Sequence, residues 1–476
     1  MKRGLPVIPV LLPDAPVEPE LPLFLQAFTW VDLRDGLTEN GLKLLEWGIT
    51  GRKPGQSQST DEPPVRTPKR ICMISSEYPP RMYGGLGEHV KKLSTALGDY
   101  THVDIVLPAN KKKYTSLSRR VYPRAITIEA EYDDPTSWLR FAQYVPIKVD
   151  SLAIRPDVIH CHDWVTVLGG IRCRWMLSIP LVYHIHLPNM SPLCSSIENL
   201  GLLCADLVTV NSEAMRDELY QRFQQTNIKV VENGVTTDEF VPSKEWPNDD
   251  GYILFVGRLV EQKGVEYLLR ALLYVNERFQ NIKLKIVGDG PCKTSLEMLA
   301  RDLTISDQVE FLGKIDELER RVGLYQAARI VVIPSVYEPF GIIALEAMAC
   351  QRPVVASRTG GLQEIVENRI NGFHFEPKDY LDLAQWIMTL LSDENLRREM
   401  GKNGHEKVRN RVYQWPYIAR RYIDFYNSLL DRKDIDPTIP SKAPEFKEQI
   451  VRVAKEIKPD LEQSLLNDLF KWMEKI

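Results

Sequence analysis

The sequence lacks the marks of several whole classes of protein. It has only 7 cysteines in 476 residues, and no two of them form a Cys-x-x-Cys pair. We therefore expect buried free thiols rather than structural zinc or a disulfide framework. No apolar run approaches the ~20 residues that a membrane span needs. Pro6, Pro9 and Pro13 interrupt the stretch in which a signal peptide would stay apolar. These absences predict a cytoplasmic protein without a transmembrane segment.

The chain also lacks a large excess of charge of either sign. Its 60 basic and 64 acidic residues give a net charge of −4, whereas a nucleic-acid binder would show a strongly basic domain or face. We therefore expect no nucleic-acid partner. With 44% hydrophobic and 26% charged residues, the composition is that of a globular protein, and the length fits two or three domains.

The chain begins with a short segment and a linker. Residues 1–53 contain an apolar run at 7–12, an alternating strand pattern at 29–33 and apolar residues at helical spacing in 42–49. This segment is too short to bury a sizeable core alone. Residues 54–69 are polar and rich in proline, so we interpret them as a linker.

From Arg70 onward, apolar strands alternate with helical stretches, which predicts parallel βαβ units. The pattern restarts after Asn233-Gly234, so we predict an α/β fold with one Rossmann-like domain at 70–230 and a second at 231–410. Polar residues follow the strands in both halves. Because ligands bind at that edge of open α/β sheets, we expect a cleft between the domains. A charged, amphipathic helical tail follows at 431–476.

The strongest chemical signal is a pair of glutamates after a buried strand. Pro339 suits the first position of a helix. Glu346 lies roughly two helical turns beyond Glu338, so we expect both carboxylates near one face at a helix start. That helix end would bind a diphosphate, and the carboxylates would accept sugar hydroxyls. Such a pair is common on solvated helices; its specificity comes from the surrounding Ser-x-x-Glu-Pro-Phe-Gly and from Gly360-Gly361.

In that setting, IPSVYEPFGIIALEAMACQRPVVASRTGGLQEIV resembles the paired-glutamate motif of retaining glycosyltransferases with the GT-B fold. VGRLVEQKGVEYLLRAL resembles their phosphate-binding stretch. SEYPPRMYGGLGEHV and HCHDW resemble motifs of glycogen and starch synthases and their relatives. The resemblance covers about residues 70–430. It implies two facing Rossmann-like domains and a helix at 411–430 that crosses back to the first domain.

The resemblance also implies roles for individual residues. Arg258 and Lys263 would bind the nucleotide diphosphate, because two fixed cations stabilise the charge of the leaving group. Glu338 would accept hydroxyls of the donor sugar and Glu346 those of the ribose. The remaining candidate phosphate and sugar contacts are backbone positions, namely Gly84, Gly85, Gly341, Gly360, Gly361 and Leu362.

Two further candidates end strands of the first domain. By resemblance, His186 takes the catalytic-histidine position and contacts the donor sugar near its reacting carbon, with His184 as the nearby alternative. Asp163 is a candidate binding residue. No Asp-x-Asp occurs in a metal-binding setting, and the fold family generally needs no metal, so we expect neither metal nor cofactor.

Two positions depart from glycogen and starch synthases proper. Those enzymes carry lysine where this chain has Met82, and they tend to have cysteine where it has Phe340. The resemblance thus implies a nucleotide-sugar donor, first ADP- or UDP-glucose, and a hydroxyl acceptor that includes α-glucans. Lipid, small-molecule and cell-surface glycan acceptors stay open. An epimerase, a phosphorylase (no pyridoxal-phosphate motif is evident) and a signalling scaffold that binds sugar nucleotides also stay open.

The N-terminal segment has a resemblance of its own. VIPVLLPDAP, PLFLQAFTWVDLRDG and LKLLEWGITGRKPG resemble the last third to half of a TIR domain. The glycine-rich beginning and the helix with the catalytic glutamate of NAD-cleaving TIR domains are absent. A random amphipathic leader is the alternative. We expect a remnant or a docking piece for a protein partner, without NADase activity.

Overall fold

The computed structural model describes residues 68–431, except 83, 110–113, 115, 129–134, 190, 225–226, 245 and 247–250, together with 10–11 and 31–32. The chain divides into two units, Met1–Arg66 and Thr67–Ile476. In the first unit, β1 (Val10–Leu11) and β2 (Val31–Asp32) pair in parallel. The predicted helix at 42–49, the TIR-like resemblance beyond these strands, most of the linker and the tail from 432 lie outside the described residues.

The first large sheet has seven parallel strands in the order β5-β4-β3-β6-β7-β8-β9. Its strands are β3 (Arg70–Ile74), β4 (His102–Ala109), β5 (Val121–Thr127), β6 (Val158–His162), β7 (Leu181–Ile185), β8 (Leu207–Val210) and β9 (Ile228–Val230). The helices between them are α1 (Gly85–Leu97), α2 (Pro135–Asp150), α3 (Trp164–Leu177), α4 (Pro192–Cys204) and α5 (Glu213–Phe223). Every residue of β3, β6 and β7 is buried, as expected when helices cover both faces of a parallel sheet.

The second sheet has six parallel strands in the order β12-β11-β10-β13-β14-β15. They are β10 (Tyr252–Val256), β11 (Leu284–Val287), β12 (Val309–Gly313), β13 (Ala328–Ile333), β14 (Val354–Ser357) and β15 (Gly372–Phe375). Its helices are α6 (Val265–Arg278), α7 (Lys293–Asp302), α8 (Leu318–Ala327), α9 (Ile342–Ala349), α10 (Leu362–Ile365), α11 (Tyr380–Ser392) and α12 (Glu394–Val408). The last helix, α13 (Trp415–Leu430), packs in the core of the first domain. Two parallel Rossmann-like sheets confirm the predicted α/β fold class.

The chain crosses between the two sheets at two adjacent points. Val231 packs in the core of the first domain and Val235 in that of the second. On the return, Tyr413 belongs to the second core and Trp415, at the start of α13, to the first. The Val235 N–H donates to the Tyr413 carbonyl at 2.9 Å, which ties the crossings together. The chain therefore passes from the first core to the second between Val231 and Val235.

Polar contacts fix the backbone just before β3. The Thr101 hydroxyl donates to the carbonyl of Pro68, and the Lys69 N–H donates to the Asp157 carboxylate at 2.7 Å. Residues 68 and 69 are thus part of the first sheet domain, because these polar contacts fix the backbone just before β3. Among the described residues, no helix is long and apolar enough to cross a bilayer.

Deleting residues 1–66 should leave a folded protein. The cut falls at the boundary between the two units, and the polar contacts of Pro68 and Lys69 that start the first sheet remain. We expect the truncated chain to match the full chain in thermal midpoint and in turnover of a donor. Aggregation, or loss of turnover with the fold intact, would instead show that the first unit contributes to the second.

Candidate active site

Glu338 lies in the loop after β13, at the carboxyl end of the strands of the second sheet. This loop is called the Glu338 turn below. The helix that follows begins at Ile342, not at Pro339, with Gly341 as its N-terminal cap. The predicted helical relation between Glu338 and Glu346 is therefore wrong. The cause is Gly341. Its φ of 105° is not helical and favours glycine, so the helix can begin only after this residue.

The side chain of Glu338 is held by two partners. The Lys263 ammonium lies 2.6 Å from its Oε2, and the Ser335 hydroxyl donates to the same oxygen at 3.0 Å. Lys263 ends a short 3-10 turn, Glu261–Lys263, which stops at Gly264. Because both side chains keep some exposure, a cation and a carboxylate are accessible side by side at the carboxyl end of the second sheet.

Glu346 is buried inside α9. Its Oε2 accepts the hydroxyl of Tyr325 at 2.7 Å, and the Arg321 guanidinium lies 3.7 Å from Oε1. Burial raises the pKa of the Glu346 carboxyl, while Arg321 and the Tyr325 hydrogen bond oppose that rise. Two side chains of α8 thus fix the orientation of this carboxylate.

The glycine turn after β14 packs directly on the Glu338 turn. A Cβ on Gly360, whose φ is 46°, would lie 2.0 Å from the carbonyl oxygen of Glu338. The Gly361 N–H donates to that carbonyl at 3.1 Å, and the Leu362 N–H donates to the Thr359 carbonyl. These two amides are engaged within the protein, so a phosphate would have to compete with those carbonyls for them.

The glycine pair of the first domain faces the second domain. A Cβ on Gly84 would lie 4.0 Å from Cδ of Arg258, and one on Gly85 would lie 3.3 Å from Cδ1 of Ile342, the first residue of α9. Arg258 is itself exposed. The two sheet edges therefore meet here, and their cleft places the glycine pair opposite a cation and a helix N-terminus.

Asp163 and His186 form one unit at the edge of the first sheet. Asp163 has a φ of 60° and a ψ of 169°, a backbone conformation that costs a non-glycine residue about 1–3 kcal/mol. Its Oδ1 accepts the N–H groups of His186 at 2.6 Å and of Leu187 at 3.4 Å. Burial raises the pKa of Asp163 to about 7, against these two bonds. Asp163 thus orients the backbone that carries His186.

The two strand-end histidines have different surroundings. His184 is fully buried, and its Nδ1 lies 2.8 Å from the Thr209 hydroxyl and 2.6 Å from the Tyr422 hydroxyl. His186 keeps 8% of its surface, and its Nε2 lies 3.1 Å from Nδ1 of His162. Only His186 of the two is partly accessible.

Other contacts join the domains around this cleft. The Ser212 hydroxyl caps α5 by accepting the Met215 N–H, and it donates to the Pro339 carbonyl at 2.7 Å. The Lys314 ammonium donates to the Met82 carbonyl at 3.3 Å. A cation of the second domain therefore reaches the position where glycogen and starch synthases carry lysine.

Several residues of the site were not predicted from the sequence. Ser335 and Tyr325 hold the two glutamates, and Arg321 lies beside Glu346. Ser335 begins the Ser-x-x-Glu-Pro-Phe-Gly motif, three residues before Glu338, and that position was the one signal available. Arg321 and Tyr325 belong to a helix without any motif, so only the fold brings them to the site.

Both sheet domains match families of known proteins. Residues 236–407 match the family model "Glycosyl transferases group 1", and residues 83–239 match "Glycosyltransferase Family 4". An uncharacterized glycosyltransferase of Methanocaldococcus jannaschii is 34% identical over 392 residues, 76% of this chain and 99% of that protein. The glycogen synthase of Mycobacterium tuberculosis is 28% identical over 391 residues, 75% and 94% of the two chains.

A solved structure extends the comparison to the fold. The sucrose-phosphate synthase of Thermosynechococcus elongatus superposes with a TM-score of 0.67 at 25% identity, over 76% of this chain and 99% of that one. The described elements thus have the two-domain GT-B arrangement.

Proposed function

Because this chain belongs to the group 1 glycosyltransferases, we propose that it is a retaining enzyme that moves a hexose from a nucleotide-diphosphate sugar to a hydroxyl acceptor. One observation carries the proposal. The Lys263–Glu338 pair, 2.6 Å apart, lies at the edge of the second sheet, and Arg258 at the same edge faces Gly84 of the first. Cations for a diphosphate and a carboxylate for sugar hydroxyls thus border one cleft.

In this proposal, Arg258 and Lys263 stabilise the departing diphosphate. The phosphate oxygen gains negative charge as its bond to the sugar breaks, and fixed cations in a site shielded from water stabilise that charge most. Lys263 then exchanges part of its contact with Glu338 for the phosphate, and the N–H groups at the start of α9 add the positive end of a helix dipole. Backbone amides of Gly84 and Gly85 approach from the other domain.

The carboxylates position the donor. Glu338 accepts hydroxyls of the hexose, and Glu346 accepts those of the ribose. His186 contacts the sugar near its reacting carbon, with Asp163 fixing its backbone. For retention we propose a front-face substitution. The bond from the anomeric carbon to the phosphate oxygen breaks, the acceptor oxygen bonds on the same face, and its proton passes to the leaving phosphate.

The donor and acceptor are proposed from the relatives. Because a glycogen synthase is among them, glucose is the first sugar, ADP or UDP the first nucleotides and an α-glucan the first acceptor. Other relatives make α-maltose 1-phosphate or act on D-inositol 3-phosphate, so small phosphorylated acceptors form the second choice. All seven cysteines are free thiols, the state that a reducing compartment maintains, and we include the cytoplasm in the proposal.

A donor screen tests the proposal. The full chain is incubated with ADP-, UDP- and GDP-hexoses, with and without glycogen, and release of nucleoside diphosphate is measured. We expect one donor to be turned over, and NMR of the product to show the donor's anomeric configuration. An inverted product would disprove retention, and no release from any donor would count against the transferase proposal.

The same assay tests whether turnover requires a divalent metal ion. Because two side-chain cations take the role that a divalent ion would have at the diphosphate, we expect turnover to be unchanged in excess EDTA. A strict need for a divalent ion, restored by its addition, would show that Arg258 and Lys263 do not suffice.

We also propose that residues 1–53 are a docking piece derived from a TIR domain, without NADase activity. The parallel pairing of Val10–Leu11 with Val31–Asp32 suits an α/β fragment of that kind. The full chain should consume no NAD under conditions in which a TIR NADase does, and NAD cleavage by the purified chain would disprove this assignment.

A further inference from the structure

Five of the eight histidines in the chain lie together inside the first domain. They come from three elements that the fold brings side by side: α1, the end of β6 and the end of β7. All are buried, and they are His89, His160, His162, His184 and His186. The proposed reaction uses only His186, so four buried imidazoles need another explanation.

Two of the five are committed to structural partners. His160 Nδ1 lies 2.8 Å from the Tyr426 hydroxyl, and His184 Nδ1 lies 2.6 Å from that of Tyr422. Both tyrosines belong to α13. These rings pack in the core and support the other three.

The remaining three have the geometry of ligands for one ion. Each offers a ring nitrogen such that the three atoms lie within 4.8 Å of one another. Their ring centroids are 4.5 Å apart for His89 and His186, 5.4 Å for His162 and His186, and 5.6 Å for His89 and His162. With a Zn–N bond of about 2.0–2.1 Å, a tetrahedral ion places two ligand nitrogens about 3.3 Å and two ring centroids about 5.3 Å apart. His162 Nδ1 and His186 Nε2 are already 3.1 Å apart.

The surroundings of His89 also suit a metal ligand. His89 Nδ1 lies 2.7 Å from Oδ1 of Asn233, the kind of outer contact that fixes a ligand's tautomer. Its Nε2 is buried without a hydrogen-bond partner among the described residues.

We propose that His89, His162 and His186 bind one Zn²⁺ ion, and that this ion inhibits the transferase. Neutral imidazoles select an ion of this class over Mg²⁺ or Ca²⁺, which prefer oxygen ligands. Three ring nitrogens leave the fourth position of a tetrahedral Zn²⁺ ion to water. His186, which alone of the three keeps a small exposed fraction, 8%, marks the side from which an ion would enter. The proposal has a binding half, that the ion binds, and an inhibitory half, that the bound ion stops turnover. The inhibitory half rests on the proposed function, since the ion would hold His186 away from the donor sugar. The binding half does not rest on it. Turnover itself would still need no metal.

Cobalt tests the binding half without any donor. The full chain is stripped with EDTA, dialysed and titrated with Co²⁺, whose visible absorption reports nitrogen ligation in a four-coordinate site. We expect one Co²⁺ per chain and its displacement by one Zn²⁺. A titration of the folded wild-type chain that shows no saturable nitrogen-ligated cobalt overturns the site, whatever the variants do.

Variants locate the ion. His89→Gln and His162→Gln should each weaken Co²⁺ binding on the order of 10²-fold or more, since even outer-shell changes cost about 10- to 100-fold. His102→Gln is the matched control, because His102 is a partly buried histidine of the same sheet that lies against Tyr122 outside the cluster. Thermal melts establish that each variant is folded. Equal binding by a folded His89→Gln and the control would exclude His89 as a ligand.

Inhibition is measured separately on whichever donor is turned over. Zn²⁺ should abolish turnover with the same midpoint at which it displaces cobalt, and EDTA should restore it. Zinc bound at full occupancy with turnover unchanged would overturn the inhibitory half. If no donor is turned over at all, the proposed function fails, while the cobalt titration still decides the metal site.

Discussion

Lys263→Ala should lower turnover on the order of 10²-fold with little loss of stability. The substitution removes a cation from the leaving diphosphate, and one such stabilising contact is worth about that factor in rate. The loss should fall on kcat, because the charge grows only as the bond to the sugar breaks. Stability should change by about 1 kcal/mol or less, since the ion pair with Glu338 is partly exposed, and Ser335 remains to hold the carboxylate.

Lys285→Ala provides the matched control. Lys285 on β11 has nearly the same exposure, 25% against 24%, and also faces a carboxylate, that of Glu310 at 3.6 Å. It lies away from the Glu338 turn, so its removal should leave kcat unchanged. Arg258→Ala should follow Lys263→Ala in size. Near-normal turnover in both Arg258→Ala and Lys263→Ala would place the phosphate site elsewhere.

Gly360→Ala should lower both stability and turnover. The new Cβ would lie 2.0 Å from the Glu338 carbonyl oxygen at a φ of 46°, so the Glu338 turn has to move. We expect unfolding free energy to fall by about 2–3 kcal/mol. Turnover should fall on the order of 10²-fold, because a shift of about 1 Å in a positioning group costs that much. Denaturant unfolding and kcat measure the two effects.

Gly313→Ala separates backbone strain from the clash. Gly313 also has a positive φ, 69°, but a Cβ there meets nothing within 4 Å. It should lose only about 1–2 kcal/mol for the left-handed conformation and keep its turnover. Equal turnover in the Gly360→Ala and Gly313→Ala variants would show that the Glu338 turn does not position a reacting group.

The fold could be predicted because buried parallel strands are nearly continuous apolar runs. The apolar stretches Val158–His162 and Leu181–Ile185, for example, are β6 and β7, and every residue in them is buried. A strand that is buried on both faces is apolar along its whole length, so it can be recognised from the sequence without knowing its neighbours in the fold.

The details of the site could not be predicted in the same way. Pro339 suggested a helix start that Gly341 delays, since a sequence shows a glycine but not the φ it adopts. Tyr325 reaches Glu346 from α8 because β13 and α9 bring these elements together. The nearness of His89 to His162 and His186 depends on three elements far apart in sequence.

The adjacent crossings between the domains also bear on how the chain folds during synthesis. The second domain is an insertion: its core starts at Val235 and ends at Tyr413, and these ends are hydrogen-bonded. The first domain, begun earlier, still needs α13, whose Tyr422 and Tyr426 fill its core. On the ribosome, the second domain is thus complete while the first waits for its last helix. Ribosome-bound chains in which Tyr413 has left the exit tunnel while α13 is still inside it should protect the second domain from protease and leave the first open to it.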